Sequence, residues 1–170
     1  METFEAILAR RSVRKYQDRP VPQELLVSLL KAAMAAPSAV NKQPWEFIVV
    51  DEPAVLSDLQ AVLPYGKYPA PAAIVVLARP DWAHANPDGA YWEQDCAAAT
   101  ENILVAAVSL GLGSVWTAVH PNRSIIEDVR HVLGVPDSAV PFNVILVGYP
   151  AEAKPPRSQY EERRVHWQRY

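Results

Sequence analysis

A single cysteine, Cys96, stands among 170 residues, so no disulfide can close within the chain. Residues 1–11 also lack the apolar stretch of a secretory signal, and together these absences predict a reducing, cytoplasmic setting. Net charge is only −3, too small a field to draw the whole protein to nucleic acid, and aromatics are not interleaved with its one basic cluster. No nucleic-acid partner is expected. In the most apolar segment the longest unbroken run covers residues 103–108, far short of the roughly 20 a bilayer requires, so no membrane span is expected either. Glycine-rich phosphate loops are missing. There is no Walker A pattern, and Gly111-Leu112-Gly113 is too short for a dinucleotide fingerprint and follows a predicted helix instead of a strand. The histidines His84, His120, His131 and His166 have no cysteine or carboxylate at metal-ligand spacing, so no metal site is expected. No repeat or linker interrupts the chain, which reads as one domain over 1–170.

What is present centres on residues 91–110. This stretch has no Gly or Pro, is dense in Ala and Leu, and carries Glu93 and Asp95 where a helix dipole favours negative charge. It predicts a long helix. From Cys96 onward only Thr100, Glu101, Asn102 and Ser109 interrupt an apolar surface, so the helix must be covered on nearly all sides, one of them by a second copy of the chain. Cys96 inside it reads as a small hydrophobe, not a nucleophile. Glu101 and Asn102 need partners if buried, and pairing across an interface ranks ahead of catalysis.

Residues 3–9 place Phe4, Ile7 and Leu8 at helical spacing and lead into Arg10, Arg11, Arg14, Lys15 and Arg19, faced by the one acid Asp18. A cationic run at a helix end is ordinarily just solvated. The alternation supports a second reading, in which Ser12, Arg14 and Tyr16 share one face of an extended segment and aim a hydroxyl and a guanidinium at one ligand, with Val13 on the other face. A helix from Pro22 presents Leu25, Leu26, Leu29, Leu30 and Ala33 on one side and stops before Pro37. The loop that follows, 37–45, holds Ser38, Asn41, Lys42 and Gln43 beside Trp45. Its polar groups can bond only their own backbone, or form a rim that reads the edge of a flat heterocycle. Strands are predicted at 46–51, 73–78, 114–119 and 142–148, and helices at 53–63 and 122–133, the latter capped by Asn122 and ended by Gly134. Sixteen prolines, about twice the usual share, brace the turn at 64–71 and extend the tail after Gly148. Alternating strands and helices alone predict a parallel α/β sheet.

Taken together, Arg10-Arg11-Ser12-Val13-Arg14, the loop from Pro37 to Trp45, Gly111-Leu112-Gly113-Ser114-Val115-Trp116 and Gly148-Tyr149-Pro150 resemble the FMN-dependent nitroreductase family in order and spacing. The tail, with Lys154-Pro155-Pro156 before Arg163-Arg164-Val165-His166-Trp167, is similar to that of its shorter members. The resemblance implies an α+β, three-layer nitroreductase-like fold with a mixed, mostly antiparallel sheet flanked by helices. It further implies a homodimer built on the long central helix, two FMN molecules at the interface, and residues 151–170 as an arm reaching the partner. Carried over residue by residue, it puts Arg10, Arg11 and Ser12 at the FMN phosphate and ribityl chain and Arg14 at the pyrimidine edge. Pro37, Ser38 and Ala39 would come from the opposite subunit, supported by Asn41 and Gln43. Trp116, Thr117 and Ala118 would pass the ring with their backbone, and Arg164 would close on the phosphate. The acidic residue that follows the glycine turn in longer relatives is missing here. No side chain is assigned a catalytic role, since the flavin carries the redox chemistry, with NAD(P)H as co-substrate and a small flat nitroaromatic or quinone as acceptor in a ping-pong cycle. The acceptor would be chosen by segments 65–70 and 82–92. The alternative within the same fold is a protein that stores or fragments FMN without nicotinamide turnover.

Overall fold

The computed structural model describes residues 2–87 and 89–170. Met1, and Asp88 in the segment expected to choose the acceptor, lie outside the described residues. Five helices form, α1 (Thr3–Ala9), α2 (Gln23–Met34), α3 (Pro53–Val62), α4 (Trp92–Ser109) and α5 (Arg123–Leu133). With them come strands β1 (Trp45–Val50), β2 (Ala72–Ala78), a short β3 (Ala85–Asn86) and β4 (Gly89–Ala90), β5 (Gly113–Ala118) and β6 (Val140–Gly148). Asn122 caps α5 as its sequence predicts, its side chain accepting from the Ser124 and Ile125 amides at 3.1 and 3.5 Å.

The main sheet runs β1-β2-β6-β5, and all three pairings are antiparallel. This corrects the parallel sheet that alternation alone predicts and agrees with the sheet that the family resemblance implies. The reason lies in the return loops. Val50, at the end of β1, pairs with Ala73 near the start of β2, so after α3 the proline-braced segment 63–71 carries the chain back to the end of the sheet it had left. Hydrophobic periodicity carries no signal for that reversal. One parallel contact is present, a bridge from Ser12 to Ser114 beside edge strand β5.

Side chains alternate between two cores. Ala73, Val75 and Leu77 of β2 face α3 and α5, where Leu56, Leu59, Ile125 and Val129 pack. Ala72, Ile74, Val76 and Ala78 face α2 and α4, meeting Leu26, Leu29, Ile103 and Ala107. All seven residues of β2 are buried because both faces of the sheet are covered, which gives the three-layer arrangement and explains the unbroken apolar run. Helix α4 buries Cys96, Ala99, Ile103 and Ala107 on that second core, while Ala97, Ala98, Val105 and Val108 are left half-covered. Glu101 and Asn102 of α4 part company. Asn102 donates to the Ala32 carbonyl at 2.9 Å inside the same chain, whereas Glu101 is exposed. Among the described residues no helix is long and apolar enough to cross a membrane.

Candidate functional site

Helix α1 ends at Arg10, and the chain then runs as an extended segment along the start of β5. The Val13 amide donates to the Ser114 carbonyl at 2.9 Å, and Val13 packs so closely over Gly113 that a Cβ there would meet its side chain at 2.8 Å. The segment therefore alternates as predicted through Val13, which is buried, and Arg14, which is exposed. Tyr16 departs from it. Its ring turns inward, and its hydroxyl donates to the Val13 carbonyl at 2.7 Å, with the Leu146 carbonyl at 3.3 Å. Gly148 leaves the room for that ring, since a Cβ at 148 would lie 2.9 Å from Tyr16 Cδ1. Burial raises the Tyr16 phenol far above its ordinary range, so this hydroxyl is a structural strut and not a ligand-facing group.

The chain immediately after β6 clasps this segment. Ala151 donates to the Lys15 carbonyl at 2.9 Å, and Glu152 Oε1 accepts the Arg14 amide at 2.8 Å. Lys154 Nζ donates to the Ser12 carbonyl at 2.6 Å and lies 3.0 Å from Glu152 Oε1. Arg11 Nη1 donates to the Pro155 carbonyl at 2.6 Å, which turns that guanidinium toward the tail. The Arg14 amide, followed by Lys154, holds the Glu152 carboxyl below its ordinary value. A recess of about 240 Å³ lies among Arg11, Val13, Gly113, Glu152 and Lys154. Arg10 lies 3.5 Å from Glu101 on the flank of α4, and the Arg14 guanidinium sits 5.8 Å above the Tyr68 ring. That second contact brings the segment 64–70 beside the cationic cluster.

Further along β5, Trp116 packs edge-on against Phe142 with centroids 5.8 Å apart. The Thr117 hydroxyl donates inward to the Val144 carbonyl at 2.6 Å, while Ala118 is exposed. A flat ligand along this edge would meet main chain and a methyl group. Ser114 and Ala118 are about 13 Å apart along the strand.

The loop between α2 and β1 is built separately. A 3₁₀ turn spans Ala39–Asn41, and Val40, Asn41 and Gln43 all take positive φ, at 53°, 53° and 51°. Ser38 Oγ accepts the Gln43 amide at 2.9 Å, and Ala39 donates its amide to Asp95 Oδ1 at 2.9 Å. Pro37, Asn41 and Gln43 are exposed. The neighbouring Cys96 is buried, with its thiol 3.8 Å from the Pro44 carbonyl, and burial pushes it up to about 12. Arg164 sits far out in the tail, in a 3₁₀ turn over Glu162–Arg164, and its Nη2 lies 3.0 Å from Glu161. The tail aromatics Tyr160, Trp167 and Tyr170 are exposed.

One chain thus gathers Arg10, Arg11, Ser12 and Arg14 with the start of β5, and puts Trp116, Thr117 and Ala118 on the same strand. The loop carrying Pro37, Ser38, Ala39, Asn41 and Gln43 is pinned to α4 at Asp95, and Arg164 joins neither group. Asp95 and Glu101 are six residues apart, hence about 9 Å along α4 and about 120° around it. The two groups occupy different flanks of one helix. Sequence reasoning missed Glu152 and Asp95 as the side chains that anchor the segment at Arg14 and the loop at Ala39. An acid and a lysine two residues apart, directly after Gly148-Tyr149-Pro150, could have signalled a clasp for the cations. Asp95 read only as a helix-start acid.

A three-layer α+β protein with a cationic strand start, an exposed main-chain edge and a separate amide-lined loop defines a class of binding fold, and comparison with known proteins identifies it. The nitroreductase family model matches residues 7–65 and 57–149. A protein of Methanothermobacter thermautotrophicus provisionally named NADH dehydrogenase/NAD(P)H nitroreductase is 44% identical over 170 residues, covering 100% of this chain and 88% of that one. The crystal structure of a protein with the same provisional name from Parabacteroides distasonis superposes with a TM-score of 0.89 at 43% identity, covering 99% of this chain and 98% of that one. An FMN-dependent nitroreductase from Clostridium difficile R20291 has a TM-score of 0.87 at 32% identity, with 98% and 99% covered. This chain belongs to the nitroreductase family and is an oxidoreductase.

Proposed function

We propose that the protein is an FMN-dependent reductase, driven by NAD(P)H and acting on nitroaromatics or quinones, and that it works as a homodimer with each flavin held between two chains. The observation that carries this reading is the placement of the two half-sites on different flanks of α4, where neither is complete without the other and one chain does not bring them together. The half-covered residues Ala97, Ala98, Val105 and Val108 of α4 and the exposed tail aromatics give a second copy apolar surface to cover.

The residues present fit the group. A phosphate needs cations and polar donors: Arg10 and Arg11 directly precede Ser12 in the chain, and Lys154 Nζ donates to the Ser12 carbonyl. A flat ring needs an edge free of bulky side chains, and Thr117 turned inward with Ala118 exposed leaves one on β5. When bound, FMN would supply hydride acceptance and release, chemistry that no side chain of this chain can perform. Arg10, Ser12 and Lys154 would hold the phosphate. Arg14 would stabilise negative charge at the pyrimidine edge, favouring the reduced form. The loop 37–43 of one chain would wall the flavin of the other and exclude water from it. Glu101 would keep Arg10 extended, and Glu152 would keep the Arg14 backbone in place.

The test is spectroscopic. The purified protein is expected to be yellow, to bleach anaerobically with NADH or NADPH, and to regain colour when a quinone or nitroarene is added. Yellow protein that does not bleach would replace this reading with flavin storage or fragmentation, and protein that takes up no FMN would remove the flavin altogether.

A further inference from the structure

Asp95 is buried, at 5% exposure, one turn into α4. One carboxylate oxygen accepts the Ala39 amide at 2.9 Å, while the other is buried and has no hydrogen-bond partner among the described residues. A carboxylate enclosed in this way is costly, and the start of a helix offsets only part of the cost. What the acid does there is hold the loop 37–43. That loop needs holding, because Val40, Asn41 and Gln43 all occupy the left-handed region, which a β-branched residue such as Val40 strongly disfavours. Ser38 braces the loop from within by accepting the Gln43 amide. Among the described residues, Asp95 supplies the side-chain acceptor that reaches a loop amide from outside.

We infer that Asp95 is a positioning residue: through the Ala39 amide it fixes the loop that walls the flavin of the opposite chain. The inference rests on the flavin reading above. It also makes α4 the bearing of both half-sites, with Arg10 set by Glu101 on one flank and Ala39 by Asp95 on another.

Three variants test it. Asp95→Ala leaves the Ala39 amide without its acceptor. Asp95→Asn keeps an acceptor oxygen there and gives the unpartnered position an amide nitrogen. Ala39→Pro deletes the donor instead and leaves α4 untouched, and the backbone admits it because Ser38 is extended at φ −140°, ψ 155°, as a residue before proline must be. FMN affinity, measured by quenching of flavin fluorescence, is expected to fall about tenfold or more in Asp95→Ala and in Ala39→Pro, the scale of a lost hydrogen bond to a charged acceptor. Asp95→Asn should stay within about threefold of wild type, because its hydrogen bond survives. In the flavin-free protein, hydrogen exchange at Ala39 and Gln43 should accelerate in Asp95→Ala with α4 amides unchanged, a local signature that general destabilisation would not give. The double variant Asp95→Ala/Ala39→Pro should bind no worse than either single one, since both remove the same bond. Wild-type protein that takes up no FMN overturns the flavin reading and this inference together. Normal wild-type uptake with undiminished affinity in Asp95→Ala, or additive losses in the double variant, overturns the inference alone.

Discussion

Arg14 does two separable things: its backbone amide anchors Glu152, and its guanidinium projects over Tyr68 toward the open side. Arg14→Ala keeps the first and deletes the second. It should therefore fold normally but bind FMN about tenfold more weakly, the loss of one charge-assisted contact. If the cation also favours the reduced cofactor tenfold, the two-electron midpoint potential drops by about 30 mV. Potentiometry that finds no change removes Arg14 from that role. Glu152 gives a pH test of the clasp. Its folded value is held below the ordinary 4.5, first by the Arg14 amide and then by Lys154, so the stability it contributes is present above pH 4.5 and lost as pH falls through the lowered value. Cleavage of the tail by an acid-tolerant protease should rise over that range, and Glu152→Gln should flatten the rise. Residue positions were legible in the sequence where chemistry and alternation agreed, as at Arg14 and Val13. They were illegible where a neighbour on a distant strand decided the rotamer. Tyr16 turns inward because Gly148 leaves it space, and Thr117 because the Val144 carbonyl is in reach, and neither partner is near in sequence.

At the scale of elements, all five helices and four main strands announced themselves through periodicity, capping and breakers. Strand direction did not, since it depends on how far a return loop carries the chain, and the residues of 63–71 that decide it are turn formers under either topology. The loop 37–43 was legible as polar, and the family resemblance implies that it serves the opposite subunit's site, but its anchor was not legible, because that anchor lies on α4, 56 residues away from Ala39. Gly148, at the end of β6, is where three elements meet. A Cβ there would lie 2.5 Å from Pro71 Cδ and 2.9 Å from Tyr16 Cδ1, and neither ring can step aside. Gly148→Ala should destabilise the fold by about 1–3 kcal/mol, the usual range for overpacking, as read from urea unfolding. It should also loosen the Ala151 to Lys15 bond that begins the clasp.

For the whole molecule, the tail is the least self-sufficient part. Tyr160 is 71% exposed and Trp167 79%, so within a single chain these rings bury little. Removing residues 157–170 should leave both cores intact by circular dichroism while weakening self-association in sedimentation velocity and lowering FMN content with it. A truncated, monomeric protein that keeps one FMN per chain would overturn the shared-site reading. The sequence alone predicts a helix covered on nearly all sides, but how much of α4 its own chain covers became visible only with α2 and the sheet in place.

The proposed carriage of both half-sites on one helix also has a genetic meaning. Suppose one mutant lacks the cations of the amino-terminal segment and another lacks the loop anchor, so that each alone yields two crippled pockets per pair. Mixed subunits would assort so that one pocket of the hybrid inherits both faults and the other inherits neither. Two inactive proteins, dissociated and annealed together, should therefore regain up to about a quarter of normal turnover if subunits pair at random, since half of the pairs are hybrids with one sound pocket.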